Sequence, residues 1–170
     1  FNQNGTNVTL RSDGTADAPL TFKTKEQIIY SESDFDPVLY KELRTVLKLS
    51  DEVSLTNASL ENITNISVYL SQTGTSSYSS GSTYMSLYLR EPLKTLKGID
   101  KFESLTTLRA DGHDISDISP IQKMTGITNL DLDYNDLTVM PDLSGFTSLK
   151  YPSVYYNLID PNTITTDKFP

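Results

Sequence analysis

The chain has 170 residues, of which 36% are hydrophobic, and its 14 basic and 22 acidic side chains give a formal net charge of -8. That length and apolar share suffice for a buried core, while the acidic balance leaves no basic stripe to track phosphates or to hold an anionic membrane. No run of about 18 apolar residues is present to insert in a bilayer, and the absence of cysteine removes disulfides, thiol nucleophiles and cysteine-bound zinc.

The chain opens on Phe1 with no signal peptide, which reads as a processed or excised fragment. Residues 1–27, rich in Asn, Thr, Gly and Asp, form an expected N-terminal extension with weak strand signals at NVTL and PLTF. Residues 28–62 read as a helical cap. Asp36 is placed as N-cap, Pro37 fits the first turn, Phe35 can staple onto Tyr40, and Leu39, Leu43, Val46 and Leu47 share one face. Val53, Leu55 and Leu60 are expected to join this cap to the first strand.

From 63 to 170 the apolar positions repeat. LTTLRADGHDISDISPIQKMTG lies 22 residues before ITNLDLDYNDLTVMPDLSGFTS with the aliphatics in register. The pattern L-x-x-L-x-L-x-x-N-x-L is that of leucine-rich repeats, each a short strand with a return segment that buries its apolar side only against its neighbours. The expected units are 63–83, 84–104, 105–126, 127–148 and 149–170. The first is degenerate, because SQTGTSSYSSGST lacks aliphatics and reads as an exposed convex excursion; the last is irregular, with Pro152 at a leucine position. The predicted fold is an α/β leucine-rich-repeat solenoid with a parallel concave sheet, short 3-10 or irregular convex segments and a helical N-terminal cap.

DLDYND at 131–136 raises a second possibility, since Asp131, Asp133 and Asn135 match the first three ligand positions of a calcium loop. Asp136 stands where that loop needs glycine and Asp142 where it needs glutamate, so the hexapeptide is assigned to a strand and its turn, with no metal site. His113 takes the place of the repeat asparagine at the corner after a strand, where its ring nitrogens can serve backbone groups. No nucleophile is paired with it, and no phosphate-cradling loop or acid–base motif occurs, so neither an enzyme nor a cofactor is expected. Five N-x-S/T sequons, at Asn4, Asn7, Asn57, Asn62 and Asn65, are attributed to composition.

Outward strand positions form two expected columns. One is Ser67, Tyr88, Arg109, Asp131 and Ser153; the other is Tyr69, Arg90, Asp111, Asp133 and Tyr155. Aromatic and arginine side chains carry much of the energy at interfaces. The candidate ligand-binding residues are therefore Tyr69, Tyr88, Arg90, Arg109, Asp111, Asp131, Asp133 and Tyr155. The competing reading is a solvated sheet in which Arg109 pairs with Asp131 and Arg90 with Asp111.

DFDPVLYKELRTVL, then VSLTNASLENITNI, LKGIDKFESLTTL and ISDISPIQKMTGITNLDLDYNDLT, over roughly residues 30–160, resemble the cap and repeats of internalin-like surface proteins of Gram-positive bacteria. The resemblance implies an extracellular protein of the cell surface or cell wall. Its concave face would recognise a protein or glycan on a host or neighbouring cell. The alternative is a structural spacer that presents other domains of a larger wall protein.

Overall fold

A computed structural model describes residues 26–79 and 81–170, together with the backbone of 2–3 and 6–7. Most of the expected extension, including NVTL beyond Asn7, PLTF and the Asn4 sequon, lies outside the described residues. Two short strands, β1 (Asn2–Gln3) and β2 (Thr6–Asn7), pair antiparallel.

The cap follows its start signals. Strand β3 (Ile29–Tyr30) leads into helix α1 (Pro37–Val46), where the Asp36 carboxylate accepts from the Val38 and Leu39 amides at 2.9 and 3.4 Å. Leu39, Leu43 and Val46 are buried, and the Phe35 ring lies 5.7 Å from that of Tyr40. Asp36 also reaches into the repeats, because its second oxygen accepts from Lys94 N at 3.2 Å and its own amide donates to Lys97 O at 3.0 Å. Strand β4 (Leu55–Thr56) pairs antiparallel with β3, and the single turn α2 (Asn57–Leu60) follows. Leu55 and Leu60 are buried as expected, but Val53 is 48% exposed. It sits in the turn after α1, whose backbone carbonyls at Ser50 and Val53 accept from the Arg44 guanidinium on the outer side of the helix.

The remaining strands are β5 (Asn65–Leu70), β6 (Ser77–Tyr78), β7 (Tyr84–Leu89), β8 (Thr107–Arg109), β9 (Asn129–Asp131) and β10 (Tyr151–Ser153). Their order in one six-stranded sheet is β10-β9-β8-β5-β7-β6, parallel except for the β6–β7 pair. This corrects the expected succession of units 63–83, 84–104 and 105–126: β7 does not stand between β5 and β8 but outside β5, next to α1. The cause lies in the return segments. Residues 71–83 have no aliphatics to fill a coil, whereas Leu93, Leu96, Ile99 and Phe102 are all buried at 0% exposure and stack on Ile115, Ile118, Ile121 and Met124 of the next coil. The return that closes behind β5 is thus 93–104, and β5 must neighbour β8.

The serine-rich segment accordingly runs along the cap-side edge of the sheet, not over the convex side. Ser71 N donates to Leu89 O at 2.9 Å, β6 runs back beside β7, and Gly81, at φ 82°, turns the chain. Short 3-10 turns at Ile99–Lys101 and Ser119–Ile121 line the convex side.

Within the regular coils the aliphatics of the pattern are covered except for the half-buried Met124, with Leu105, Leu108, Ala110, Ile115 and Ile118 in one and Ile127, Leu130, Leu132, Leu137 and Met140 in the next. In the last coil Leu149, Val154 and Ile159 are half-buried. Pro152 pairs with Leu130, as the register requires. Tyr151 N donates to Thr128 O and Ser153 O accepts from Leu132 N, so the nitrogen of the residue between them faces the outer edge, where a proline forfeits no ladder bond.

Candidate functional site

Each strand turns alternate side chains outward, so the register dictates which of them meet. Ser86, Ser67, Arg109, Asp131 and Ser153 lie in one row, which places Ser86 where Tyr88 was expected. Tyr88 instead pairs with Tyr69 in the second row, with ring centroids 4.9 Å apart at 29°. Asp111, Asp133 and Tyr155 continue that row, held by the ladder bonds Gly112 N to Asp133 O and Tyr134 N to Tyr155 O. Tyr88 and Tyr155 are separated by four inter-strand steps, or about 19 Å.

Arg90 leaves the face. Its guanidinium donates to Ser71 O at 2.6 Å and Gly74 O at 3.0 Å, so it ties down the loop before β6 and does not neighbour Asp111. The same loop holds Tyr88: Ser76 Oγ accepts from Tyr88 N at 2.7 Å, and a Cβ at Gly74 would lie 2.0 Å from Tyr88 Cδ1. Tyr84, absent from the sequence-based set, is 47% exposed on this face and shares a 3.0 Å hydroxyl contact with Ser67, which it covers. That hydrogen bond from Ser67 draws the Tyr84 phenol below its ordinary pKa. The alternation of Tyr84, Ser86 and Tyr88 with Met85, Leu87 and Leu89 was the signal that could have found it.

The middle of the face carries the charges. Arg109 is exposed and forms no ion pair among the described residues, although Asp131 lies beside it. Burial pushes the Asp131 carboxyl up, the Asp133 amide donating at 3.2 Å works against that shift, and the carboxylates of Asp133 and Asp111 raise it further. Asp133 Oδ1 accepts from Ser153 Oγ at 2.6 Å and Tyr155 N at 2.7 Å. Tyr155 itself is 71% exposed.

DLDYND is a strand and turn, as assigned. Asn135 is buried and donates to the carbonyls of Ala110, Leu132 and Asp133 at 2.8 to 3.1 Å, while its Oδ1 accepts from Ile115 N at 3.1 Å. Its oxygen is therefore spent inside the stack and not turned toward Asp131 and Asp133. Tyr134, between Asp133 and Asn135, adopts φ 53° and stacks on Tyr156, which has φ 54°, at 4.3 Å. Among the described residues no group of three or more His, Cys, Asp or Glu side chains is placed to hold a metal ion.

His113 occupies the same corner one coil earlier, 4% exposed. Its Nδ1 accepts from Leu93 N at 3.3 Å, which leaves the proton on Nε2, 3.4 Å from Val68 O. Burial lowers its pKa against the opposing pull of Asp111, Asp114 and Asp36. With both nitrogens engaged by backbone, the ring has none left for substrate. Asn57 of the sequons is likewise structural, since its amide bonds Ile28 N and Glu26 O.

No family model and no curated protein matches the chain. Among solved structures it is similar to an internalin, the inlF protein of Listeria monocytogenes strain 4b F2365, at 24% identity and a TM-score of 0.55, over 74% of this chain and 32% of that one. The chain thus spans about a third of the length of that protein. The likeness and the stacked parallel coils make the fold a leucine-rich-repeat solenoid. No helix among the described residues is long and apolar enough to cross a membrane.

Proposed function

We propose that the chain is a non-enzymatic recognition module of a bacterial surface protein, extracellular and wall-associated, that holds a protein partner on its concave face. The observation that carries this reading is the arrangement of that face. Tyr69, Tyr84 and Tyr88 stand at one end and Tyr155 at the other, with Arg109, Asp111, Asp131 and Asp133 between them on a rigid sheet. Tyrosines bury large areas with few rotatable bonds, and the excess of carboxylates between them suits a partner with basic side chains at its centre. The structural likeness to an internalin supports the solenoid frame on which this reading depends.

The test offers the protein to a panel of host cell-surface ectodomains and to a glycan array. Asp111→Asn combined with Tyr155→Ala is expected to weaken a captured protein partner more than tenfold while the denaturation midpoint stays unchanged. Undiminished binding by this double variant would move the site off the concave face. Failure to capture any partner would favour the spacer.

A further inference from the structure

We infer that residues 71–90 are an insertion within a single 22-residue coil, and that this insertion builds the cap-side half of the recognition face. The hydrogen bonds at the coil corners reveal the interruption. Asn135 joins Ala110 O to Ile115 N, and Asn157 joins Leu132 O to Leu137 N, so each corner bridges residues five apart in sequence. His113 performs the same bridge between Val68 O and Leu93 N, which are 25 apart. The excess is 20 residues. Joining Leu70 to Glu91 leaves 63–70 and 91–104, a coil of 22 residues in which Ile63, Ile66, Val68 and Leu93 fall on the positions of Leu105, Leu108, Ala110 and Ile115.

The inserted chain is not a slack excursion. It forms β6 and β7, adds two strands outside β5, and buries Met85, Leu87 and Leu89 beneath α1. On the outer face it contributes Tyr84 and Tyr88 beside Ser67 and Tyr69, and it fixes the second ring through Gly74, Ser76 and Arg90. Without it β5 would be the edge of the sheet, and Tyr69 would be the sole tyrosine of the β5–β8 part of the face. The insertion is therefore a specificity element. It supplies an aromatic seat for an apolar side chain of the partner, next to Asp111 and Asp131, which take a basic one.

This inference rests on the concave-face reading, and the experiment separates the two. Phage-displayed random peptides are selected on the full chain, on the excision variant that joins Leu70 to Glu91, and on Tyr84→Ser with Tyr88→Ser, which keeps the hairpin. The intact chain is expected to enrich peptides that set an apolar residue beside Lys or Arg. Both variants should retain the basic preference and lose the apolar position, and peptides selected on the intact chain should bind them at least tenfold more weakly. The excision variant should keep the hydrogen-exchange protection of residues 105–148. Variants that select the same apolar–basic consensus would overturn the inference while the concave-face reading stands. No enrichment on the intact chain would overturn that reading itself. Loss of protection throughout 105–148 on excision would show that 71–90 belongs to the stack and is not inserted into it.

Discussion

The coils at 105–148 and the interrupted coil at 63–104 obey the same packing rule with different chain economy. In the former, strand, corner and return follow one another within 22 residues, and an asparagine or histidine ties each coil to the one before it. In the latter the strand and its return are separated by 20 residues, yet Ile66, Val68, Leu93 and Leu96 are as fully covered as their counterparts. What defines a coil is the set of aliphatics that close behind a strand, whatever chain runs between them. The intervening residues can then serve another purpose, here extra strands and two tyrosines.

Core truncations break the comparison most forcefully. Leu130→Ala in a regular coil and Leu93→Ala in the interrupted one should each cost about 2 to 5 kcal/mol in urea melts, because both side chains are buried. A much smaller loss for Leu93 would show that the interrupted coil is loosely packed. Asp131→Ala, on the outer face, should cost far less than either. At the corners, Asn135→Ala strands Ile115 N and Ala110 O without their partners and should cost about 1 to 3 kcal/mol. A neutral result would mean that water replaces the amide.

The corner of the interrupted coil should also be the acid-sensitive one. Buried His113 binds its proton less readily than in the unfolded chain, so its folded-state pKa lies below the ordinary value of about 6.5. The unfolded state then takes up more protons as pH falls, and stability should be flat above about 6.5 and decline below it. Protonation also sets an N–H at Nδ1 against the Leu93 amide. His113→Asn should remove that decline between about pH 6.5 and 5 while changing neutral stability little, as read from melting temperatures across the range. An unaltered profile would place the acid sensitivity elsewhere.

Much of this was legible in the residues. The 22-residue register placed nearly all the buried aliphatics, Asp36 and Pro37 announced α1, and His113 was assigned to its corner. The strand order was not, because YMSLYL and ITNISVYL alternate alike and either can pair with the strand of the next coil. The deciding information is the lack of aliphatics in 71–83, which read as a weak repeat when it marked an insertion. Tyr84 was missed and Tyr88 set one row away for the same reason. Arg90 could not be placed at all from its strand position, since its partners are loop carbonyls whose location depends on the path of 71–76.

The account stands on β5 lying directly against β8. The natural chain has no cysteine, so engineered pairs report neighbours without interference. Asn65 and Thr107 are register partners across the two strands, and the ~4.8 Å spacing of neighbouring strands falls inside the Cα separation of about 4.4 to 6.8 Å that a disulfide accepts. Asn65→Cys with Thr107→Cys should cross-link on mild oxidation, and Tyr84→Cys with Thr107→Cys should not. Cross-linking of the second pair and not the first would place β7 between the coils and contradict the strand order.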